Sequence, residues 1–245
     1  MFFSNSIISN PTATFTAERW RQFWDFWKAQ PQQLEGIEQL RLAIIAADPE
    51  ILTETAAWRQ CFSAAAVASF GNPLAVAWEN QNDNASGTGY RECFSSSCAM
   101  LARYWGKVAN DDEYNAIRAQ YGDTTSAQVQ LTTLHSLGLT AYLATNGDRS
   151  ALEAEINGGR PVAVGWLHQG PVEAPSGGGH WSVLIGFSDS HSVHHDPNGE
   201  ADLLNGGYTA NQNGASQQYS WKNWLPRWEV EGSGTGWLLS CHIQA

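Results

Sequence analysis

Cys93, His180 and Asp196 are residue types that together can break an amide bond. A thiol attacks a carbonyl well only when a base takes its proton, and the base works only when a third group orients it. Cys93 opens the run Cys93-Phe-Ser-Ser-Ser-Cys-Ala-Met-Leu-Ala-Arg-Tyr-Trp-Gly106, in which Cys98, Leu101, Ala102 and Trp105 recur at i, i+3, i+4 and i+7 and Gly106 is a stop signal. This spacing predicts a buried amphipathic helix with Cys93 as its first residue. Unpaired backbone N–H groups and the positive end of the helix dipole favour a thiolate there. Cys98, one turn in and on the apolar face, reads as a packing residue. His180 follows Gly177-Gly-Gly179 at the start of an apolar strand, and Asp196 closes the short strand Ser192-Val-His-His-Asp before a Pro197-Asn-Gly turn.

The chain order Cys, His, Asp, with the cysteine on a helix and the other two on adjacent strands, resembles the papain-like arrangement. The nucleophile run is similar to that of the C39-like branch of papain-like cysteine peptidases, which reads roughly C-G/N-x-T/S-S-x-A-M and ends in an aromatic pair and Gly. Gln81-Asn-Asp-Asn84 resembles that branch's Q-x-D-N segment, and Gly179-His180-Trp181 and Asp196-Pro197 resemble its G-H and D-P motifs. The likeness spans about residues 78 to 240. It implies a cysteine peptidase in which Cys93 attacks, His180 shuttles the proton and Asp196 orients His180. Gln81 and the Cys93 N–H would then steady the oxyanion. Two departures stand out. Phe94 occupies the place of a small or amide residue after the cysteine, and the absence of an accompanying exporter segment argues against bacteriocin-leader processing.

His191, His194 and His195, with His180 and Asp196, also admit a metal reading. Zinc needs ligands that converge on one point, whereas successive strand residues face opposite ways, which separates His194 from His195. We therefore expect neither a metal nor a cofactor. The same alternation puts His194 on the face of Asp196, so His194 is expected as a substrate contact. Trp181, beside the base, is a second candidate for substrate binding.

Charge and cysteine usage narrow the function classes. Thirteen basic against 24 acidic residues give a formal charge of −11, which disfavours nucleic acid and anionic membranes as partners. Cys61, Cys93, Cys98 and Cys241 are too few and scattered for a disulfide scaffold. The first residues lack the basic start and apolar stretch of a signal peptide, and no apolar run reaches membrane-spanning length. The expectation is a soluble chain made in a reducing, cytoplasmic setting, acting there or at the cell wall. Oligomeric state is not legible.

The elements that must position these groups come in a helices-then-strands order, an α+β layout. Residues 16 to about 70 read as a helical module rich in aromatics, from an N-cap at Thr16 through Trp20, Phe23, Trp24 and Trp27 to helices opened by Pro31 and Asp48-Pro49. Phe70-Gly-Asn-Pro73 marks a boundary, giving a helical module over 1–72 and a papain-like catalytic domain over 73–245. After the nucleophile helix, Asn110 caps a helix to about Tyr121, Thr124-Thr125 a second and Ser150 a third. Strands are expected near 161–168, 181–188, 191–195 and 236–243, the first two central because they are apolar nearly throughout. The Gly/Asn/Gln-rich 205–217 reads as a surface loop.

The function expected from these features is hydrolysis of peptide bonds by a Cys-His-Asp triad. Peptidoglycan stem peptides are the first substrate class, because tryptophans crowd the sheet half and a helical module accompanies it. Ordinary proteins are the second class. A non-catalytic peptide- or glycan-binding module on the same fold is the alternative.

Overall fold

A computed structural model describes residues 72–243 of the chain. The helices expected between 16 and 70, and Cys61, lie outside the described residues.

Six strands form one antiparallel sheet in the order β1-β8-β2-β3-β4-β7. They are β1 (Leu139–Gly147), β2 (Val162–Trp166), β3 (His180–Phe187), β4 (His191–His195), β7 (Gln217–Ser220) and β8 (Gly236–Ile243). β5 (Glu200–Ala201) and β6 (Tyr208–Ala210) make a separate two-stranded ribbon between β4 and β7. β2 and β3 occupy the middle of the sheet. Val162, Ala163, Val164, Val183 and Leu184 are fully buried, as continuous apolar runs require when both faces are covered.

Helix α1 (Cys93–Tyr104) covers one face. Cys98, Ala99, Met100, Leu101 and Ala102 are fully buried, and the helix ends where Gly106 takes φ +68°. Phe94 of α1 stacks on Trp181 of β3, which places the alternate residues His180, Ser182 and Leu184 on the opposite face. That second face is covered by α4 (Arg149–Asn157) and by α5 (Trp221–Trp228), whose Trp224 lies against His194. Helices α2 (Asp111–Arg118) and α3 (Ala127–Ser136) pack beside α1.

The α+β architecture and the four expected strands agree with this arrangement. Other details differ for local reasons. Asn110 caps α2 as expected, by accepting from the Glu113 N–H, but α3 is capped by Ser126 rather than Thr124-Thr125 and α4 by Asp148 rather than Ser150. In each case the capping oxygen must sit three residues before the N–H it receives, here those of Val129 and Ala151. β1, β5, β6, β7 and α5 were not expected. Part of 205–217 is therefore the ribbon strand β6, not wholly loop.

Candidate active site

Three element ends converge at one end of the sheet: the start of α1, the start of β3 and the end of β4. His180 is buried, and its Nε2 donates to Asp196 Oδ1 at 2.8 Å. Because a carboxylate only accepts, Nε2 carries the proton and Nδ1 is the nitrogen left for a further partner. Cys93 is the other side chain that acts on His180. Burial drives the His180 imidazolium pKa down, but the charge and hydrogen bond of Asp196, with those of Cys93, outweigh it and lift the value to about 10. The histidine is thus cationic across the neutral range.

Asp196 is fully buried, with 0 % exposure. Its Oδ1 also accepts the Asn198 N–H at 2.9 Å, the Asx turn that Asp-Pro-Asn favours. Tyr219 donates to Oδ2 at 3.0 Å, and Tyr208 reaches the same oxygen at 3.3 Å. The backbone around Asp196 is equally constrained. Its N–H donates to Gly214 O, its carbonyl accepts the Trp78 indole N–H, and a Cβ on Gly214 would lie 1.8 Å from its carbonyl oxygen.

Gln81 lies in a 3-10 turn, Gln81–Asp83, and is buried. Its N–H donates to Pro197 O, which ties this turn to the Asp196 loop. Its side-chain Nε2 donates to Gly89 O at 2.9 Å, while Oε1 is buried without a partner. The carbonyl at Gly89 accepts only, so the amide nitrogen must face it and the orientation of the side chain is fixed. An amide nitrogen carries two hydrogens, so one remains for a ligand. Gly89 stands four residues before Cys93, in the turn Gly89–Arg91 that leads into α1.

Glu92 links this turn to α1. Its buried carboxylate accepts from Asn84 Nδ2, Ser86 Oγ and Thr88 Oγ1 and lies near Arg118. Burial opposes its ionisation, but those hydrogen bonds prevail and hold its pKa below the usual carboxylate value.

His194 has no exposed surface, which corrects its expected role as a substrate contact. It is fully buried, and both ring nitrogens are engaged, Nδ1 with Ser182 Oγ and Nε2 with Ser192 Oγ. His195 is also committed, receiving the Ser216 N–H at Nδ1 and donating from Nε2 to Val76 O. Trp181 is half-buried, its ring 3.7 Å from that of Phe94, with the bare Cα of Gly165 making room beneath it. Trp166, Trp221, Trp224 and Trp228 are buried core residues, and Trp237 is 52 % exposed. Among the described residues no group of three or more His, Cys, Asp or Glu is placed to hold a metal ion.

Three residues near the pair were not anticipated. Tyr208 and Tyr219 lie in or next to the segment read as loop, so only their position in space reveals them. His168, two residues past β2 on the face of Trp166, has its ring centroid 5.6 Å from that of His180. Burial and the neighbouring His180 charge lower its pKa to about 4, so it is neutral where His180 is charged.

A family model described as "Peptidase_C39 like family" matches residues 73–229, more than half of the chain. Three solved structures are similar at low identity. A Bacillus anthracis protein described as a C39-like peptidase is 14% identical, with a TM-score of 0.49 over 70% of this chain and 96% of its own. A double glycine motif protease from an AMS/PCAT transporter, solved with its leader peptide, is 17% identical, with a TM-score of 0.45 over 71% of this chain and 95% of its own. The peptidase domain of Streptococcus ComA, a bifunctional ABC transporter, is 15% identical, with a TM-score of 0.43 over 63% and 93%. No curated protein matches the chain.

Proposed function

The chain belongs to the Peptidase_C39 like family of papain-like cysteine peptidases, and from that premise we propose that it cleaves peptide bonds through Cys93, His180, Asp196 and Gln81. The observation that carries this reading is the buried His180 bonded to Asp196 through Nε2, with Cys93 as the other group acting on the same ring. In the first half-reaction Cys93 Sγ bonds to the scissile carbonyl carbon, its proton having passed to His180. The carbonyl oxygen takes the negative charge and accepts from the Cys93 N–H and the second hydrogen of Gln81 Nε2. His180 then gives its proton to the leaving nitrogen, the C–N bond breaks and a thioester remains. In the second half-reaction His180 takes a proton from water, whose oxygen attacks the thioester. The acid product leaves and the thiol regains its proton. Asp196 stays ionised throughout and keeps Nδ1 directed at the sulfur. A well-placed oxyanion donor such as Gln81 contributes about 3 kcal/mol to the barrier reduction.

For the substrate we propose the stem peptides of peptidoglycan, with the cell wall as the place of action. Support comes from the aromatic surface that Trp181 and the exposed Trp237 offer on one face of the sheet, across Gly165, and from the aromatic-rich sequence before residue 72. Among the described residues no helix is long and apolar enough to cross a membrane. The division at residues 72/73 into an accessory module and a catalytic domain belongs to the same reading. Purified cell wall and a denatured protein, each digested with wild type and with Cys93→Ala, test it together. Release of peptides from cell wall by wild type alone is expected, with fragment masses locating the bond cut. Equal release by Cys93→Ala would end the cysteine mechanism, and cleavage of the denatured protein alone would end the cell-wall assignment.

A further inference from the structure

Asp196 carries a carboxyl group with no exposed surface, and His180 uses only one of its two oxygens. A buried carboxylate stays charged only if donors replace the water it has lost. Oδ1 has the His180 Nε2–H and the Asn198 N–H. Oδ2 has the Tyr219 hydroxyl at 3.0 Å and the Tyr208 hydroxyl at 3.3 Å, and the Tyr208 hydroxyl is also 3.4 Å from Oδ1. We propose that Tyr219 and Tyr208 are positioning residues for the reaction: Tyr219 holds Asp196 by the oxygen His180 does not use, Tyr208 spans both oxygens, and together they fix both the charge and the aim of the Asp196–His180 pair. This inference rests on the triad reading above.

Both tyrosines are set in place by buried contacts from distant segments. Behind Tyr219 runs a buried chain of hydrogen bonds whose direction is forced. Tyr219 O can only accept, so it takes the one hydroxyl hydrogen of Ser192, and Ser192 Oγ must receive the His194 Nε2–H. The neutral ring then accepts at Nδ1 from Ser182 Oγ, which itself accepts the Trp166 indole N–H. The His194 ring also packs 4.9 Å from the Tyr219 ring. Tyr208 is placed by Arg227, whose fully buried guanidinium donates to four backbone carbonyls, those of Leu167, Gln169, Gly170 and Leu203. This joins the segment after β2 to the segment before β6, and the Gly207 N–H adds a bond to His168 O. The result is a Tyr208 ring 5.6 Å from that of His180.

Both hydroxyls keep their protons, because burial first and the Asp196 charge second push their pKa values well above the ordinary one. The other titratable groups facing the pair are Cys93 from α1, His168 after β2 and His194 on β4. Glu200 on β5 acts on Tyr219, and Arg227 acts on His168.

The test needs no substrate. The full chain is alkylated with iodoacetamide across pH 5 to 11, modification at Cys93 is followed by mass spectrometry, and Tyr219→Phe, Tyr208→Phe, Asp196→Asn and Asp196→Asn/Tyr219→Phe are compared with wild type. In wild type the Cys93 rate changes where the His180 imidazolium loses its proton. Tyr219→Phe is expected to move that inflection upward by about half a pH unit, since a carboxylate with fewer donors holds the imidazolium proton more tightly. Tyr208→Phe is expected to move it less, its bond being longer. In the Asp196→Asn background the same Tyr219→Phe change should move nothing, because the charge it acts on is gone. An inflection unmoved by both single changes, or moved equally with and without Asp196, overturns the proposal and makes the tyrosines ordinary packing. A wild-type profile with no such inflection refutes the triad itself, which is a different failure. Should Tyr219→Phe not fold, Tyr208→Phe alone and in the Asp196→Asn background decides by the same two comparisons.

Discussion

Gln81 shows how a single side chain is aimed before any substrate arrives. Its amide is pinned by Gly89 O, its backbone by Pro197 O, and its partnerless Oε1 is buried. Nothing but glycine fits at position 89, since a Cβ there would lie 1.9 Å from Gln81 O, a backbone atom that cannot give way without moving the turn. Gly89→Ala is therefore expected to displace Gln81 and lower kcat by roughly a hundredfold, the loss typical of one oxyanion donor, while KM changes little. Steady-state kinetics on any peptide that wild type cleaves, with circular dichroism to confirm the fold, check this. Wild-type kcat in folded Gly89→Ala would remove Gln81 from the mechanism. At this scale the sequence was informative wherever chemistry and local signals coincided: a cysteine at a helix start, a histidine after three glycines, an aspartate before a proline. It was silent on Tyr208, Tyr219 and Arg227, whose roles exist only because segments far apart in the chain meet at Asp196. It misled on His194, because strand alternation says which face a residue takes and not whether that face is open.

Strand β4 carries two kinds of histidine within one short element, and the difference has a thermodynamic signature. His194 is fully buried, and burial, with the charges of His195 and His180, lowers its pKa to about 3. His194 is neutral when folded, so its native pKa is depressed below the unfolded value of about 6.5. The stability it contributes is complete above that pH and is lost as pH falls toward 3, with a slope approaching 1.4 kcal/mol per unit. His168 adds a weaker contribution of the same sign. Replacing His194 by Gln should lower stability at pH 7, by leaving Ser182 and Ser192 without their ring partner, and should flatten the acid side of the stability curve. Urea midpoints between pH 7 and pH 4 measure both effects, and an unchanged acid slope in His194→Gln would show that the ring is protonated or solvated when folded. Among the strands, legibility followed burial. β2 and β3 show unbroken apolar runs, whereas β1 is an edge strand of mixed Thr, Ala, Tyr and Asn, four of its nine residues exposed, and gives little pattern beyond alternation. α5 hides behind Pro226, which argues against helix, although Trp221, Trp224 and Trp228 recur at helical spacing and all are buried.

At the scale of the whole molecule, every group assigned to the reaction falls within residues 72–243: Gln81, Cys93, His180 and Asp196, with Tyr208 and Tyr219 behind them. The sheet that positions them pairs six strands from β1 to β7, and the family match begins at residue 73. If the residues before 72 form an accessory module, a chain of residues 72–245 should keep Cys93 reactive toward iodoacetamide and retain turnover on a small soluble peptide. It should lose more on insoluble cell wall, where a second contact raises the effective concentration at the surface by tethering. The opposite expectation follows if those residues instead shield an apolar face, for then the shortened chain exposes it and associates. Relative activity on the two substrates and sedimentation of the same preparation separate the cases. A monomeric, folded chain with an unchanged ratio of soluble to insoluble activity would remove the targeting role while leaving the peptidase intact, and a loss of Cys93 reactivity would show that the first 71 residues help to build the site itself.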